Sequence, residues 1–583
     1  MKRFGFFCVA VCLLLGIASC SSSLPLPRVY PDYSFSSRFQ LDSVDAYDPQ
    51  VIENLDVLCR VWGYAKYHHP AFEREGVDAD YELFGLLPEV AQAEPAVRNR
   101  ILYRWVKELG GFESDKSFYE GNNTSPEEVT LADLSWTADT ERLGGKLSGL
   151  LQKLRYAKRT PGGNRYMKPA SMIGNPDMSG ERATGSLDDC GYRLLYLFRF
   201  WNAIEYYFPN RNITDLDWSK IPAAYISDFA LPTNKFMWRL QHELCDTHAS
   251  GMFATALGFK RLPVGTDYAD GRLFVTRSDS QDLLRVGDEI LSVNGYCWAG
   301  VYDAVSRYES VSNREGLDRF TADYLCRTRE DTVAVEVLRG GKRLQRSMPT
   351  VRVDDWWQED VDRLAADSNI RMIADSIGYM TGLNYTKAGA QAIFDKFRNT
   401  RALIVDMRCY PREFMIFDFI ARYFVPHTTH HVSWLKSTGI LPGTFFFVKD
   451  RLPVNAGFFG NSQGNPDYYK GRVIVLVDAS TQSQAEYTTM AFQAAPRCTV
   501  VGTQTAGADG NVTKLVLPGG YDYTWFSGLG VYYPDGANTQ RTGVRIDVPV
   551  HATVEGLRAG RDEILEKALQ IVRTGEYDLG VEE

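Results

Sequence analysis

The sequence predicts a multidomain α/β chain with N-terminal helical repeats, a small β-rich unit in the middle and a largely parallel α/β core at the end. Three observations carry this. The length of 583 residues exceeds what one hydrophobic core serves. From Asp375 onward, short apolar runs alternate with helical patterns, as in units that build a parallel sheet. Within that region Val473-Ile474-Val475-Leu476-Val477 is unbroken and β-branched, the pattern of a strand covered on both faces.

Composition narrows the class. Hydrophobic residues make up 44% and charged residues 23%, ordinary values for a globular protein. The formal charge of -9, with no basic stripe, argues against a nucleic-acid partner. Nothing in the residues asks for a cofactor.

The first residues read as a targeting segment. Lys2-Arg3 precedes an apolar run, Phe4 to Gly16, too short for a permanent span, and Ile17-Ala18-Ser19-Cys20 follows. A small-residue site followed at once by Cys resembles a bacterial lipobox. The resemblance implies removal of residues 1–19, lipid on Cys20, and a protein anchored to a membrane of the cell envelope on the periplasmic or outer-membrane side. Loss of Lys2 and Arg3 takes the charge from -9 to -11. Residues 20–50, Ser- and Pro-rich at their start, read as a tether. Of the 10 Cys, the seven beyond Cys20 have no close pairs, so neither a disulfide framework nor a CxxC metal site is expected.

Residues 51–158 and 185–251 read as two copies of a helical unit, joined by a Gly/Pro/Asn/Ser linker at 159–184. Arg60-Val61-Trp62 precedes Tyr67 and Pro70; Arg199-Phe200-Trp201 precedes Tyr206 and Pro209, with the same Arg-to-Pro spacing. The Arg and Trp are expected in packing and ion pairs. The copies end differently: Glu108-Leu109 runs into Gly-Gly-Phe, but Glu243-Leu244 runs into Cys245-Asp246-Thr247-His248-Ala249-Ser250.

Residues 252–352 form the β-rich unit. Leu273–Thr276 is a strand, Gly287-Asp288 a tight turn, and Ile290–Val293 a strand ended by Asn294-Gly295. Thr332–Val337 closes it, with Arg339-Gly340-Gly341 as a turn. The run Leu283 to Gly295 resembles the most recognisable stretch of a PDZ domain, which implies binding of extended peptide ends along a sheet edge. A plain β spacer is the simpler alternative.

In the core, 353–575, Ile377–Met380 and Ala402–Arg408 read as strands, and Lys387–Asn399 and Phe414–Phe424 as helices. After Val477, polar residues Asp478 to Gln482 lead to Ser483-Gln484-Ala485-Glu486, where Tyr487, Met490 and Ala491 take helical spacing. A strand, a sharp turn and a helix start can expose the Ser483 hydroxyl beside free backbone N–H groups. An ordinary turn with a capping Ser fits the same residues. Residues 576–583 read as a tail.

These motifs together resemble the C-terminal processing (tail-specific) serine peptidases and their tricorn-like relatives, from about Tyr196 to Arg573. Ser-Gln-Ala-Glu at Ser483 matches the nucleophile turn, and Val500-Val501-Gly502-Thr503-Gln504-Thr505-Ala506-Gly507 the family's following turn. The resemblance implies a crotonase-like core, Ser483 as nucleophile, the N–H of Gln484 as one oxyanion donor, His248 as general base and Thr247 as the hydroxyl residue before it. Imidazole suits that task because it titrates near neutrality. It also implies a polypeptide substrate, bound near its C-terminus.

The match departs in three places. Members that use a Lys carry it where this chain has Ala508, which leaves the Ser–His arrangement. The tricorn-type Glu is replaced by Gln540, whose amide is expected on the Thr247 hydroxyl; Asp246 or Asp547 could supply the missing charge. The glycine pair of the oxyanion turn is replaced by Arg412-Glu413, so the second donor falls to a non-Gly backbone at Arg412. Two other functions stay open: an inactive relative that holds peptides, and an esterase, since the same machinery serves acyl transfer. His427, His430 and His431 have metal-ligand chemistry but no known spacing, and read as a solvated loop.

Overall fold

The computed structural model describes residues 28–122, 128–169, 173–231, 236–413, 416–452, 465–519 and 523–577. The leader at 1–19, Cys20 and the end of the tail, 578–583, lie outside the described residues. Among the described residues no helix is long and apolar enough to cross a membrane.

The sheet that leads into Ser483 has the order Arg371–Ala374, Ile377–Thr381, Ala402–Asp406, Arg472–Val477, Cys498–Gly502, Val548–Pro549. Its first pair is antiparallel and the rest are parallel. Alternate side chains of one strand feed two cores. Val473, Val475 and Val477 pack with the helices Ala390–Phe397, Phe417–Phe424 and Gln484–Gln493. Ile474 and Leu476 pack with Ile564, Ala568 and Ile571 of the helix Glu563–Thr574. Both faces are covered, so the run Val473 to Val477 has no polar position.

Helices dominate the first part of the chain. Pro49–His68 starts on Asp48, whose carboxylate accepts from Gln50 and Val51 N–H, with Pro49 in the first turn. Cys190–Tyr207 starts on Asp189. The two pack against each other so closely that a side chain at Gly63 would collide with Asn202. Trp62 donates to the carbonyl of Ala79, 17 residues on, and Trp201 to that of Trp218, again 17 on. Arg60 reaches across to the Ser219 carbonyl, and Arg199 reaches back to Asp80 at 2.8 Å. The described residues of the segment expected as a linker, 159–169 and 173–184, are packed: Tyr166, Met167 and Met178 belong to the helical core, and Glu181 pairs with Lys66 in a fully buried ion pair. Its Asn and Gly residues turn the chain within packed structure; Asn164, for instance, caps Tyr166 and Met167 and donates to the Lys66 carbonyl.

The middle unit is a five-stranded antiparallel sheet in the order Lys342–Pro349, Thr332–Arg339, Glu289–Val293, Arg272–Ser278, Val264–Ala269. The Asn294-Gly295 turn takes positive φ at both residues, as that dipeptide allows. Two helices, Trp298–Tyr308 and Arg314–Leu325, join the unit and were not foreseen.

Two cross-connections lock the parts together. Glu128–Thr130 pairs with Thr444–Leu452, adding a strand from the helical region to a four-stranded sheet that also holds Thr429–Ser437 and Gly530–Tyr532. The hairpin Val512–Val516 and Tyr523–Ser527 leaves the core and buries Leu515, Leu517 and Phe526 in the helical core. The histidine stretch is strand in part: His427 lies exposed before it, as expected of a solvated loop, but His430 and His431 lie in Thr429–Ser437, and His431 is buried edge-on against Tyr487.

Candidate active site

Ser483 sits between the strand Arg472–Val477 and the helix Gln484–Gln493. Its backbone, at φ 57 and ψ -121, lies in a region that costs a non-Gly residue on the order of 1–3 kcal/mol. Surrounding bonds hold it there. Ser483 N–H donates to Glu486 Oε2 at 3.1 Å and faces the Ala508 carbonyl at 3.0 Å. Gln484 is the first helical residue, where an N–H has no partner within the helix and can face an anion. The side-chain amide of Gln484 donates to the Glu413 carbonyl, which pins the loop next to Arg412, an exposed residue, against the helix start.

Glu486 is the hub of this turn. Fully buried, it accepts from Thr505 Oγ1 at 2.5 Å, from the N–H of Gly507 at 2.9 Å and from that of Ala508 at 3.1 Å. Burial pushes its carboxyl up to about 7 against those donors. The buried Asp509 carboxyl is raised as well, by desolvation and then by Glu486. Gly507 has to be glycine: at φ 64, a Cβ there would lie 2.8 Å from the Arg541 carbonyl carbon.

The same loop reaches the helical part. The Thr247 hydroxyl donates to the Ala506 carbonyl at 3.2 Å, and Ser312 N–H donates back to Thr247 Oγ1 at 3.0 Å. His248 follows within a short helical turn, Thr247–Ala249, capped by Asp246, which accepts from His248 N–H at 3.1 Å. His248 Nδ1 lies 2.8 Å from Ser527 Oγ, while Nε2 is buried without a hydrogen-bond partner. Burial lowers its pKa below the ordinary histidine value, with the Asp246 charge pulling the other way.

Asp246 is fully buried and gathers donors: Ser527 N–H at 2.7 Å, Ser527 Oγ at 3.1 Å and Gln540 Nε2 at 3.1 Å. This corrects the expectation for Gln540. Its amide does not meet Thr247, whose hydroxyl is engaged by Ala506 and Ser312; it donates to the carboxylate one residue earlier. Of the two acids left open by the sequence, Asp246 stands at the histidine, its Oδ1 3.8 Å from Nδ1. Asp547 instead accepts from Val500 N–H at 2.7 Å and ties strands together.

Ser483 and His248, 235 residues apart in sequence, are thus joined through one loop, Thr505–Ala508, and not by a direct hydrogen bond. Sequence reading missed Ser527, which ends a strand of alternating residues with no motif, and the supporting Ser310, Ser312 and Asn313. Asn313 donates to the Thr505 carbonyl at 2.8 Å. Arg319, from the next helix, donates to the Ala479 carbonyl at 2.7 Å and so holds the turn before Ser483 from the middle unit. A cleft of about 1620 Å³ opens beside that turn, between the edge strand Val264–Ala269 and Asp478–Gln482. Among the described residues no group of three or more His, Cys, Asp or Glu is placed to hold a metal ion.

Residues 435–550 match the family described as Peptidase family S41. The chain carries a peptidase family S41 domain, and the class of protein so defined is a serine peptidase. Among solved structures, the chain resembles mature CPAF complexed with lactacystin, with 13% identity, TM-score 0.48, and coverage of 66% of this chain and 99% of that one. It also resembles the photosystem II D1 C-terminal processing protease, at 16% identity and TM-score 0.35, covering 64% of this chain and 98% of that one. For the tricorn protease the figures are 12% identity, TM-score 0.31, 66% of this chain and 36% of that chain. No curated protein matches the chain.

Proposed function

We propose that this protein is a lipid-anchored serine endopeptidase of the bacterial cell envelope that cuts polypeptides held near their C-termini. Ser483 Oγ attacks the scissile carbonyl, and His248 Nε2 takes its proton and returns it to the leaving amine. The N–H groups of Gln484 and Arg412 receive the oxyanion. The observation that carries this reading is the loop Thr505–Ala508, which fixes a strained serine on one side and, through Thr247, a histidine with an unengaged Nε2 on the other. Substrate binding has to bring Oγ to Nε2, since hydrogen bonds of free active sites often tighten only in the complex.

The flanking assignments belong to the same proposal. Residues 252–352 act as a PDZ-like unit whose edge strand Val264–Ala269, open to the cleft, adds a strand of substrate. Residues 51–158 and 185–251 are one helical unit duplicated; the matched Trp spacings and the reciprocal Arg60 and Arg199 contacts support this. Ile17-Ala18-Ser19-Cys20 supports the anchor, and incorporation of labelled palmitate that is lost in Cys20→Ala tests it.

A second reading, a peptide-holding protein without hydrolysis, draws on Gln540, Arg412-Glu413 and the lack of a direct Ser483–His248 bond. Labelling with a fluorophosphonate probe separates the two. The peptidase labels, Ser483→Ala does not, and His248→Ala labels far more slowly. Folded wild-type protein that never labels leaves the second reading standing.

A further inference from the structure

We propose that Ser527 is a positioning residue: its hydroxyl, placed between Asp246 and His248, fixes the imidazole in the tautomer that leaves Nε2 free as the base. The argument is one of proton direction and rests on the reading of His248 as the base. Asp246 is surrounded by donors and, as a carboxylate, only accepts. The Ser527 hydroxyl carries a single proton, and it points at Asp246 Oδ1, 3.1 Å away. Toward His248 Nδ1, 2.8 Å away, the same oxygen then offers only lone pairs. Nδ1 must therefore carry the ring proton, and Nε2 keeps its lone pair.

The arrangement is rigid at each joint. Ser527 and Asp246 are fully buried, and the Ser527 backbone N–H is itself tied to Asp246 Oδ2 at 2.7 Å. Phe526, the neighbouring residue, is anchored in the helical core. Gln540 adds a further donor to Asp246 Oδ1, so the acceptor cannot turn away from the serine. The acid that position 540 lacks is thus supplied from beside the base, and it acts through a hydroxyl because its own oxygen stands 3.8 Å from Nδ1.

The test is the tautomer itself, read from histidine ¹⁵N chemical shifts in the full chain labelled at histidine, with His248 assigned by its loss in His248→Gln. Wild-type protein is expected to show a protonated Nδ1 and an unprotonated Nε2 above the pH at which the ring charges. Ser527→Ala is expected to shift His248 toward the Nε2-protonated form and to slow fluorophosphonate labelling about 10–100-fold, with KM little changed. A wild-type His248 already protonated on Nε2, or a tautomer indifferent to Ser527→Ala, overturns the proposal. The wild-type spectrum does not depend on the variant folding. Wild-type protein with the expected tautomer that never labels upholds the positioning role and sinks the peptidase reading instead.

Discussion

The Thr247 hydroxyl donates to the carbonyl of Ala506, 259 residues later in the chain, at 3.2 Å. Both ends are fully buried, and each neighbours a piece of the proposed machinery: His248 on one side, the loop that contacts Ser483 and Glu486 on the other. Thr247→Val keeps the shape and removes the hydroxyl, leaving the Ala506 carbonyl without its donor and the Ser312 N–H without its acceptor. A loss of about 1–3 kcal/mol in stability is expected for such orphaned groups, measurable by urea denaturation. Hydrolysis should fall by more than that loss explains at a temperature where the variant stays folded, because the contact ties the segment of the proposed base, His248, to the loop that holds Ser483. Unchanged turnover in a folded Thr247→Val protein counts against the loop as the link.

The pH dependence follows from where His248 sits. Burial holds its pKa below 6.5, and only the neutral ring accepts a proton from Ser483. The acid limb of kcat/KM is therefore expected with its midpoint below 6.5, so the protein keeps working into mildly acidic solution. Asp246 raises that pKa, so Asp246→Asn should move the limb further toward acid while lowering the plateau. A limb at or above 6.5 in the wild-type protein contradicts the burial seen here.

Gln540→Glu restores the residue type that the tricorn-like pattern has, yet the prediction is a loss. Gln540 donates to Asp246 Oδ1 at 3.1 Å, and both side chains are buried. A glutamate there would set a second carboxylate against the first, so one of them must take up a proton or move apart. Activity should drop at least about 10-fold at neutral pH, and recover in part toward acid as the pair shares a proton. Steady-state assays of Gln540→Glu beside Gln540→Met decide it, since Met removes the donor without adding charge. A gain of activity in the glutamate variant overturns the assignment of Asp246.

Much of this was readable from the chain alone, for identifiable reasons. Val473 to Val477 announced its place because a strand buried on both faces has no polar position to interrupt it. Gly287-Asp288 and Asn294-Gly295 announced turns because few other residues take those torsions, and both glycines do have positive φ. Ser483, His248 and Thr247 stood out through a resemblance, and the fold brings their segments to one loop. Ser527 was invisible: a serine at the end of a short strand says nothing about the element it will face, and its partners Asp246 and His248 lie 281 and 279 residues away. Gln540 was misassigned for a related reason. Spacing cannot tell which of two adjacent acceptors, Asp246 or Thr247, a long side chain will meet. The segment at 159–184 looked like a linker from its Gly, Pro and Asn content, but packing against the helical core is decided by tertiary contacts such as Glu181 with Lys66.

The buried acids behind Ser483 give a last prediction, on stability. Glu486 is pushed up to about 7 and Asp509 is raised above its ordinary range, both chiefly by burial, with Glu486 adding to the shift at Asp509. For an acid whose folded pKa lies above its unfolded value of about 4, the folded state holds the proton more tightly. That contribution is fully present below the unfolded pKa and is lost as pH rises through the folded one, so wild-type stability should fall between about pH 4.5 and pH 7 and stay low above it. Asp509→Asn removes one of the two raised acids and the charge facing Glu486. The variant should therefore lose less stability than wild type between pH 5 and pH 8, because one raised acid and its charge are gone. Urea midpoints of both proteins at the two pH values provide the comparison. Because Asp509 Oδ2 has no hydrogen-bond partner and is buried, the substitution costs no known contact at that atom, and the wild-type difference between pH 5 and pH 8 should shrink rather than shift as a whole. Parallel slopes for the two proteins would show that Glu486 and Asp509 do not share the charge burden at this turn, and Glu486 would then hold the backbone of Ser483 without any penalty from its neighbour.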